Sequence, residues 1–115
     1  MKKDRTSYTV GEICSLCGVT RKTLFYYDRT GLLAPSLRSG TQAHKLYDSE
    51  ALTQLKEIIE YREAGLTIAE IRILVHDENC DKHRILENAL MRIISQKDEK
   101  EKEILKLREM ISQLR

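Results

Sequence analysis

The chain has 115 residues, 41% of them hydrophobic and 33% charged, with one proline, five glycines and no tryptophan. That length allows one compact domain plus an extended element and excludes a large catalytic domain, and the composition fits a helix-rich folded protein rather than a disordered tail. No apolar run reaches the roughly 20 residues that span a bilayer, and the first ten residues are too polar for a secretory signal, so a cytoplasmic protein without a membrane partner is expected. The net charge of +2 conceals an asymmetry: residues 1–47 hold eight Lys/Arg against Asp4, Glu12 and Asp28, while residues 48–115 hold twelve against fifteen acids. A basic front half suits a polyanionic partner, although a merely solubilising segment has the same look.

Thr9-Val10-Gly11-Glu12 has capping-box spacing and predicts a short helix from Val10, with Ile13, Leu16 and Cys17 inward and Gly18 at the turn. Thr20 then caps a second helix, Arg21 to about Arg29, with Leu24 and Tyr27 inward and Arg21, Lys22 and Tyr26 outward, ended by Gly31. Two short helices about a glycine-bearing turn read either as a DNA-binding helix-turn-helix or as an ordinary helical hairpin.

Leu32 to Tyr47 reads as two short strands around a polar turn containing Arg38-Ser39-Gly40-Thr41, a wing that carries Arg38, His44 and Lys45. Cations on such a hairpin can follow a sugar-phosphate backbone or simply face solvent. Asp48 predicts the cap of a third helix with Leu52, Leu55, Ile58 and Ile59 as core, closed by Gly65. Thr67-Ile68-Ala69-Glu70 is a second capping box, opening a fourth helix with Ile71, Leu74 and Val75 inward. The head therefore occupies residues 7–76 and a polar linker residues 77–81.

Residues 82–115 contain neither glycine nor proline. Alternating steps of four and three pass through Leu86, Leu90, Ile93, Lys97, Lys100, Ile104, Leu107, Ile111 and Leu114, and the seven apolar members predict a dimerisation stripe. A helix of about 51 Å cannot bury that stripe on a small domain, so a partner helix is required, most simply from a second copy. The run Gln96 to Glu103 reads as a solvated face, with register-setting by Lys97 and Lys100 as the alternative.

Tyr8-Thr9-Val10-Gly11-Glu12-Ile13, Cys17-Gly18-Val19-Thr20-Arg21-Lys22-Thr23-Leu24-Phe25-Tyr26-Tyr27-Asp28 and Gly31-Leu32-Leu33-Ala34-Pro35 together resemble the MerR family of bacterial transcription regulators. His44-Lys45-Leu46-Tyr47 and Ala64-Gly65-Leu66-Thr67-Ile68-Ala69-Glu70-Ile71 extend the resemblance over about residues 7–76. It implies a mainly α fold, with a winged helix-turn-helix head followed by a long helix that pairs as an antiparallel coiled coil. It also implies a homodimer on a palindromic promoter element of double-stranded DNA, distortion of that promoter, and RNA polymerase as a further partner. On this basis Thr20, Arg21 and Lys22 fall where the recognition helix meets the major groove, and arginine or lysine there can donate to guanine O6 and N7. Tyr26 falls on the first of the family's paired aromatics, able to reach a phosphate, with half-buried packing as the alternative. Two positions depart from the family: Phe25 stands where a basic residue is frequent, and Ala43-His44-Lys45 replaces a glycine-tyrosine-arginine run, which shifts the expected phosphate grip toward Arg38 and Lys45.

The three cysteines, without a secretory signal, point to reduced thiols. Cys14-Ser15-Leu16-Cys17 has a redox or metal spacing on paper, but packing is the better reading for small thiols inside a short helix. Cys80 near His83 suggests an alternative, a thiol- or metal-responsive regulator, although two ligands rarely hold an ion and Asp77, Glu78 and Asp81 disfavour a thiolate. No cofactor motif and no catalytic constellation is apparent, so an enzyme is not expected. A coiled-coil adaptor with vestigial DNA binding is the competing class, supported by Phe25 and His44.

Overall fold

The computed structural model describes residues 7–39 and 44–114, and the side chains of Ser39 and His44 are outside that description. In chain order the elements are β1 (Tyr8–Thr9), α1 (Val10–Cys17), α2 (Arg21–Arg29), β2 (Leu37–Ser39), β3 (His44–Tyr47), α3 (Ser49–Glu63), α4 (Ile68–His76) and α5 (Lys82–Ser112). They fall into two compact units that divide between Glu78 and Asn79.

Helix starts in the first unit follow from local chemistry. Thr9 Oγ1 accepts from the Glu12 amide at 3.1 Å while the Glu12 carboxylate accepts from the Thr9 amide at 2.9 Å, and Thr67 and Glu70 repeat the exchange at 3.1 and 2.9 Å. Thr20 and Asp48 cap α2 and α3 by accepting from the Thr23 and Ala51 amides. Each such cap stabilises a helix by about 1 kcal/mol. Gly18 ends α1 in the left-handed region at φ 72°, where a side chain would be strained.

The core gathers Ile13, Leu24, Leu32, Leu55, Ile58 and Ile71, all fully buried, with Leu33, Tyr47, Leu66 and Leu74 around them. Burial of each large aliphatic side chain is worth about 1.5–3 kcal/mol. One inward assignment needs correction: Leu16 is 59% exposed, and Cys14 takes the inner place beside Val10 and Ile13. The reason is angular. Residues 10, 13, 14 and 17 lie on one helical face, and position 16 is displaced from position 17 by about 100°.

The hairpin is joined by a strand that the sequence pattern did not announce. β3 is central in the order β1-β3-β2, pairing antiparallel with β1 through Tyr8↔Tyr47 and Thr9↔Leu46, and with β2 through Leu37↔Leu46, Arg38↔Lys45 and Ser39↔His44. Two residues are too few to show alternation, so β1 exists only through its long-range partner. The predicted polar turn from Gly40 to Ala43 lies outside the described residues.

α4 braces the exit of α2. An Arg72 terminal nitrogen donates to the Thr30 carbonyl, and the His76 Nε2 meets the Leu32 carbonyl at 2.9 Å. His76 is the last residue of α4.

The second unit is dominated by α5, started by Asp81, whose carboxylate accepts from the Arg84 amide at 3.1 Å. Its 31 residues extend about 46 Å. Leu86, Leu90, Ile104, Leu107 and Ile111 are exposed along it and Ile93 is half-buried. Met91, Ile94, Leu105 and Met110 are exposed as well, so the apolar surface is wider than the nine-position stripe. Lys97 and Lys100 pair with Glu101 and Glu103 of the same helix at 3.8 and 3.1 Å, as a solvated face would. The helix ends at Ser112, so Leu114 follows the C-cap Gln113 instead of lying within the helix, and Arg115 is outside the described residues.

Candidate nucleic-acid interface

α2 is held by its inner face, where Leu24 and Tyr27 are buried, and this leaves Arg21, Lys22, Phe25, Tyr26 and Arg29 exposed on the other side. Lys22, Tyr26 and Arg29 recur at helical spacing on one stripe. They border a groove of ≈ 760 Å³ that also takes in Phe25, Arg62 at the end of α3 and Ile68 at the start of α4. Three cations line it and no carboxylate does. Arg62 is steadied by donating to the Leu66 carbonyl at 3.0 Å, and the Arg29 guanidinium lies 5.7 Å from the Tyr26 ring centroid, a cation–π distance.

The two expected base readers differ in surroundings. Lys22 faces the groove, whereas the Arg21 guanidinium lies over the first turn of α1, where a β-carbon on Gly11 would come within 3.0 Å of it. Thr20 is exposed, but its hydroxyl is engaged at both ends, accepting from the Thr23 amide at 3.1 Å and donating to the Thr23 hydroxyl at 3.0 Å.

The wing cations converge on one acid. Arg38 places two nitrogens on the Asp28 carboxylate at 2.7 and 3.0 Å, and Lys45 reaches the same carboxylate at 3.2 Å. The Lys45 ammonium also sits 4.5 Å from the centroid of Phe25, so the aromatic departure in α2 supports the cation of the wing. The Arg38 hydrogen bonds, joined by those of Lys45, hold the Asp28 carboxyl below its ordinary 3.8 against the opposing effect of burial. The ionised form is thus favoured in the folded head. Its contribution to stability is complete above about pH 4 and is lost as pH falls through the depressed folded value. Thermal melts taken from pH 5 to pH 3 are expected to fall more steeply for the wild type than for Asp28→Asn; parallel curves would deny the linkage. The side chain of His44 lies outside the described residues, so its expected backbone role has no geometry here.

Arg29, Arg62 and the bridging role of Asp28 were not singled out from sequence. Arg29 could have been found by continuing the Lys22–Tyr26 stripe one step, whereas Arg62 is distant in the chain and carries no local signal.

The thiols behave as packing groups. Cys14 is buried and Cys17 half-buried, and burial is the main cause pushing both thiols above their ordinary value, away from the reactive thiolate. Cys80 is half-buried, and His83 lies 3.5 Å from Glu87 of its own helix. Among the described residues no three His, Cys, Asp or Glu side chains assemble as a cation site. Tyr47 is fully buried, its hydroxyl has no hydrogen-bond partner among the described residues, and burial pushes its phenol up to about 12. No described helix is long and apolar enough to cross a membrane.

A helical pair with an exposed cationic second helix, flanked by a hairpin, defines a winged helix-turn-helix protein. Residues 8–78 match the family model "MerR HTH family regulatory protein", and the chain belongs to that family of transcription regulators. It is 41% identical over 75 residues to the HTH-type transcriptional activator TipA of Streptomyces coelicolor, covering 65% of this chain and 29% of TipA. It is 40% identical over 68 residues to the nodulation protein NolA of a Bradyrhizobium species, covering 59% of this chain and 28% of NolA. The chain thus spans under a third of the length of these curated relatives. Among solved structures, the N-terminal part of the Bacillus subtilis multidrug transporter activator Mta superposes with a TM-score of 0.78 at 25% identity, covering 90% of this chain and 97% of that one. The regulator in an EcmrR-DNA complex gives 0.81 at 30% identity, covering 91% and 38%.

Proposed function

We propose that the chain is a sequence-specific DNA-binding transcription regulator that works as a homodimer on a palindromic promoter element. The observation that carries this reading is the groove along α2, in which Lys22, Arg29 and Arg62 supply positive charge with Tyr26 beside them and no acid intervenes. Residues 7–76 serve as the DNA-binding head, residues 77–81 as the linker and α5, Lys82–Ser112, as the dimerisation helix within the tail 82–115. Lys22 and Arg21 read base edges, Arg21 by swinging its guanidinium off Gly11; a long side chain can do so between staggered rotamers. Tyr26, Arg29 and Arg62 contact phosphates on one side of the helix, Thr20 meets the major groove at its start, and on the wing Arg38 and His44 contact phosphates with Lys45 held beside them.

The apolar stripe of α5 supports pairing with a second copy, with Leu86, Leu90, Ile93, Ile104, Leu107 and Ile111 at the contact and Leu114 just beyond the helix end. Joined heads bind half-sites at a fixed separation. Bending or untwisting the promoter between them costs several kcal/mol, roughly 1–6 for a smooth bend, which the contacts of two heads can offset. RNA polymerase would then engage the reshaped promoter.

The test uses duplexes selected by the protein from a random pool, with scrambled duplexes as controls. Arg21→Ala is expected to lose about 1–3 kcal/mol on the selected duplex at one position of each half-site and far less on scrambled DNA. Equal losses on both would remove Arg21 as a base reader. Binding by the wild type should weaken steeply as salt rises, because phosphate contacts release counterions. Salt-independent binding would favour a coiled-coil adaptor.

A further inference from the structure

Arg38 and Lys45 are direct cross-strand partners in the β2–β3 ladder. Like charges so placed repel. Both are drawn to the Asp28 carboxylate in the last turn of α2, whose side chain is only 10% exposed. Oδ1 is taken by Arg38 at 2.7 Å, and Oδ2 by Arg38 at 3.0 Å and by Lys45 at 3.2 Å. A single acid therefore cancels one of the wing's two charges and pins the hairpin to the recognition helix.

The pinning is asymmetric. Lys45 is 26% exposed, held between Asp28 and the Phe25 ring, whereas Arg38 remains 56% exposed. A guanidinium that pairs through its two terminal nitrogens uses one N–H of each, so Nε–H and the outer N–H groups remain available. Binding of arbitrary duplex depends on the number of mobile cations that can neutralise phosphates, whereas binding in one register gains from a donor already fixed in place.

We propose that Asp28 is a positioning residue that sets specificity: it ties Arg38 and Lys45 to the end of α2, so that the wing offers a phosphate one oriented guanidinium edge instead of two mobile cations. This rests on the DNA-binding reading above. The acid lowers affinity for unrelated DNA while leaving the register chosen by α2 intact.

The experiment compares the full chain with its Asp28→Asn and Asp28→Glu variants by fluorescence anisotropy. The probes are a duplex selected from a random pool by the wild type and a scrambled duplex of equal length, each over a salt series. Asp28→Asn is expected to bind the scrambled duplex about tenfold more tightly, with a salt slope steeper by about one. Its affinity for the selected duplex should change less than about threefold, and Asp28→Glu should keep the wild-type ratio. Equal changes on both duplexes with an unaltered slope would mean that Asp28 only supports the fold, and would overturn the inference. Should Asp28→Asn melt below the assay temperature, Arg38→Lys carries the test, since it keeps the charge but cannot hold the carboxylate at two points. The ratio of selected to scrambled binding should then fall severalfold, and an unchanged ratio overturns the inference. A wild type that binds neither duplex overturns the DNA-binding reading itself, and this inference with it. A wild type that binds, beside variants with unaltered ratios, overturns this inference alone.

Discussion

Leu107→Asp is expected to convert the protein from a dimer to a monomer in sedimentation and to weaken binding to a two-half-site duplex by about a hundredfold or more. Leu107 is 58% exposed on α5, in an apolar row with Ile104 and Ile111, which are also exposed. A helix that leaves such a row open gains by covering it, and a carboxylate in the middle of the seam would have to be desolvated against aliphatic neighbours. The effect on DNA follows from linkage. Once one head is seated, the second meets its half-site at the high effective concentration of a tethered partner, an advantage of about 10²–10⁴ that separate heads forfeit. An unchanged sedimentation mass would place the contact on a different face of α5, where Met91, Leu105 and Met110 are also exposed.

Leu24→Ala is expected to destabilise the head by about 2–5 kcal/mol in urea unfolding, with a lower midpoint and little change in slope. Leu24 is fully buried and, with Tyr27, anchors the inner face of α2. Its truncation removes transfer free energy and leaves a cavity among closely packed neighbours. A domain of this size has a net stability of only about 5–15 kcal/mol, so the variant should lose much of its folded population near its melting range and its DNA binding with it. A loss below about 1 kcal/mol would show that α2 is held by its ends rather than by its core face.

The helix starts were legible in the sequence because capping is a transaction between residues three apart, and both capping boxes occur where Thr9-Glu12 and Thr67-Glu70 predicted them. In α2, α3 and α4 helical spacing likewise picked out the buried Leu24, Tyr27, Leu55, Ile58, Ile71 and Leu74, whereas Leu52, Ile59 and Val75 are only half-buried and Ala51 is buried in addition. Spacing failed at Leu16, where apolar character outweighed angle and the smaller Cys14 occupies the core. β1 was illegible because a two-residue strand has no pattern of its own, only a partner in β3. In the candidate interface, α2 declared its outward cations, but the groove with Arg62 and the convergence on Asp28 depend on tertiary approach. Asp28 and Arg38 are ten residues apart, and no periodicity links an acid on a helix to a cation on a hairpin. The expected transfer of phosphate contacts to Arg38 and Lys45 therefore meets a competing anion that composition alone could not place.

The two bonds from α4 to the carbonyls of Thr30 and Leu32 connect residues 42 and 44 positions apart. They occupy backbone acceptors at the point where the chain leaves α2, which would otherwise be free to fray or swivel. With its exit clasped in this way, the reading helix has little freedom to tilt inside its own domain. Any adjustment of α2 on a DNA surface would then involve the first unit as a whole, because α2, the wing pinned to it through Asp28 and the groove shared with Arg62 belong to one packed body.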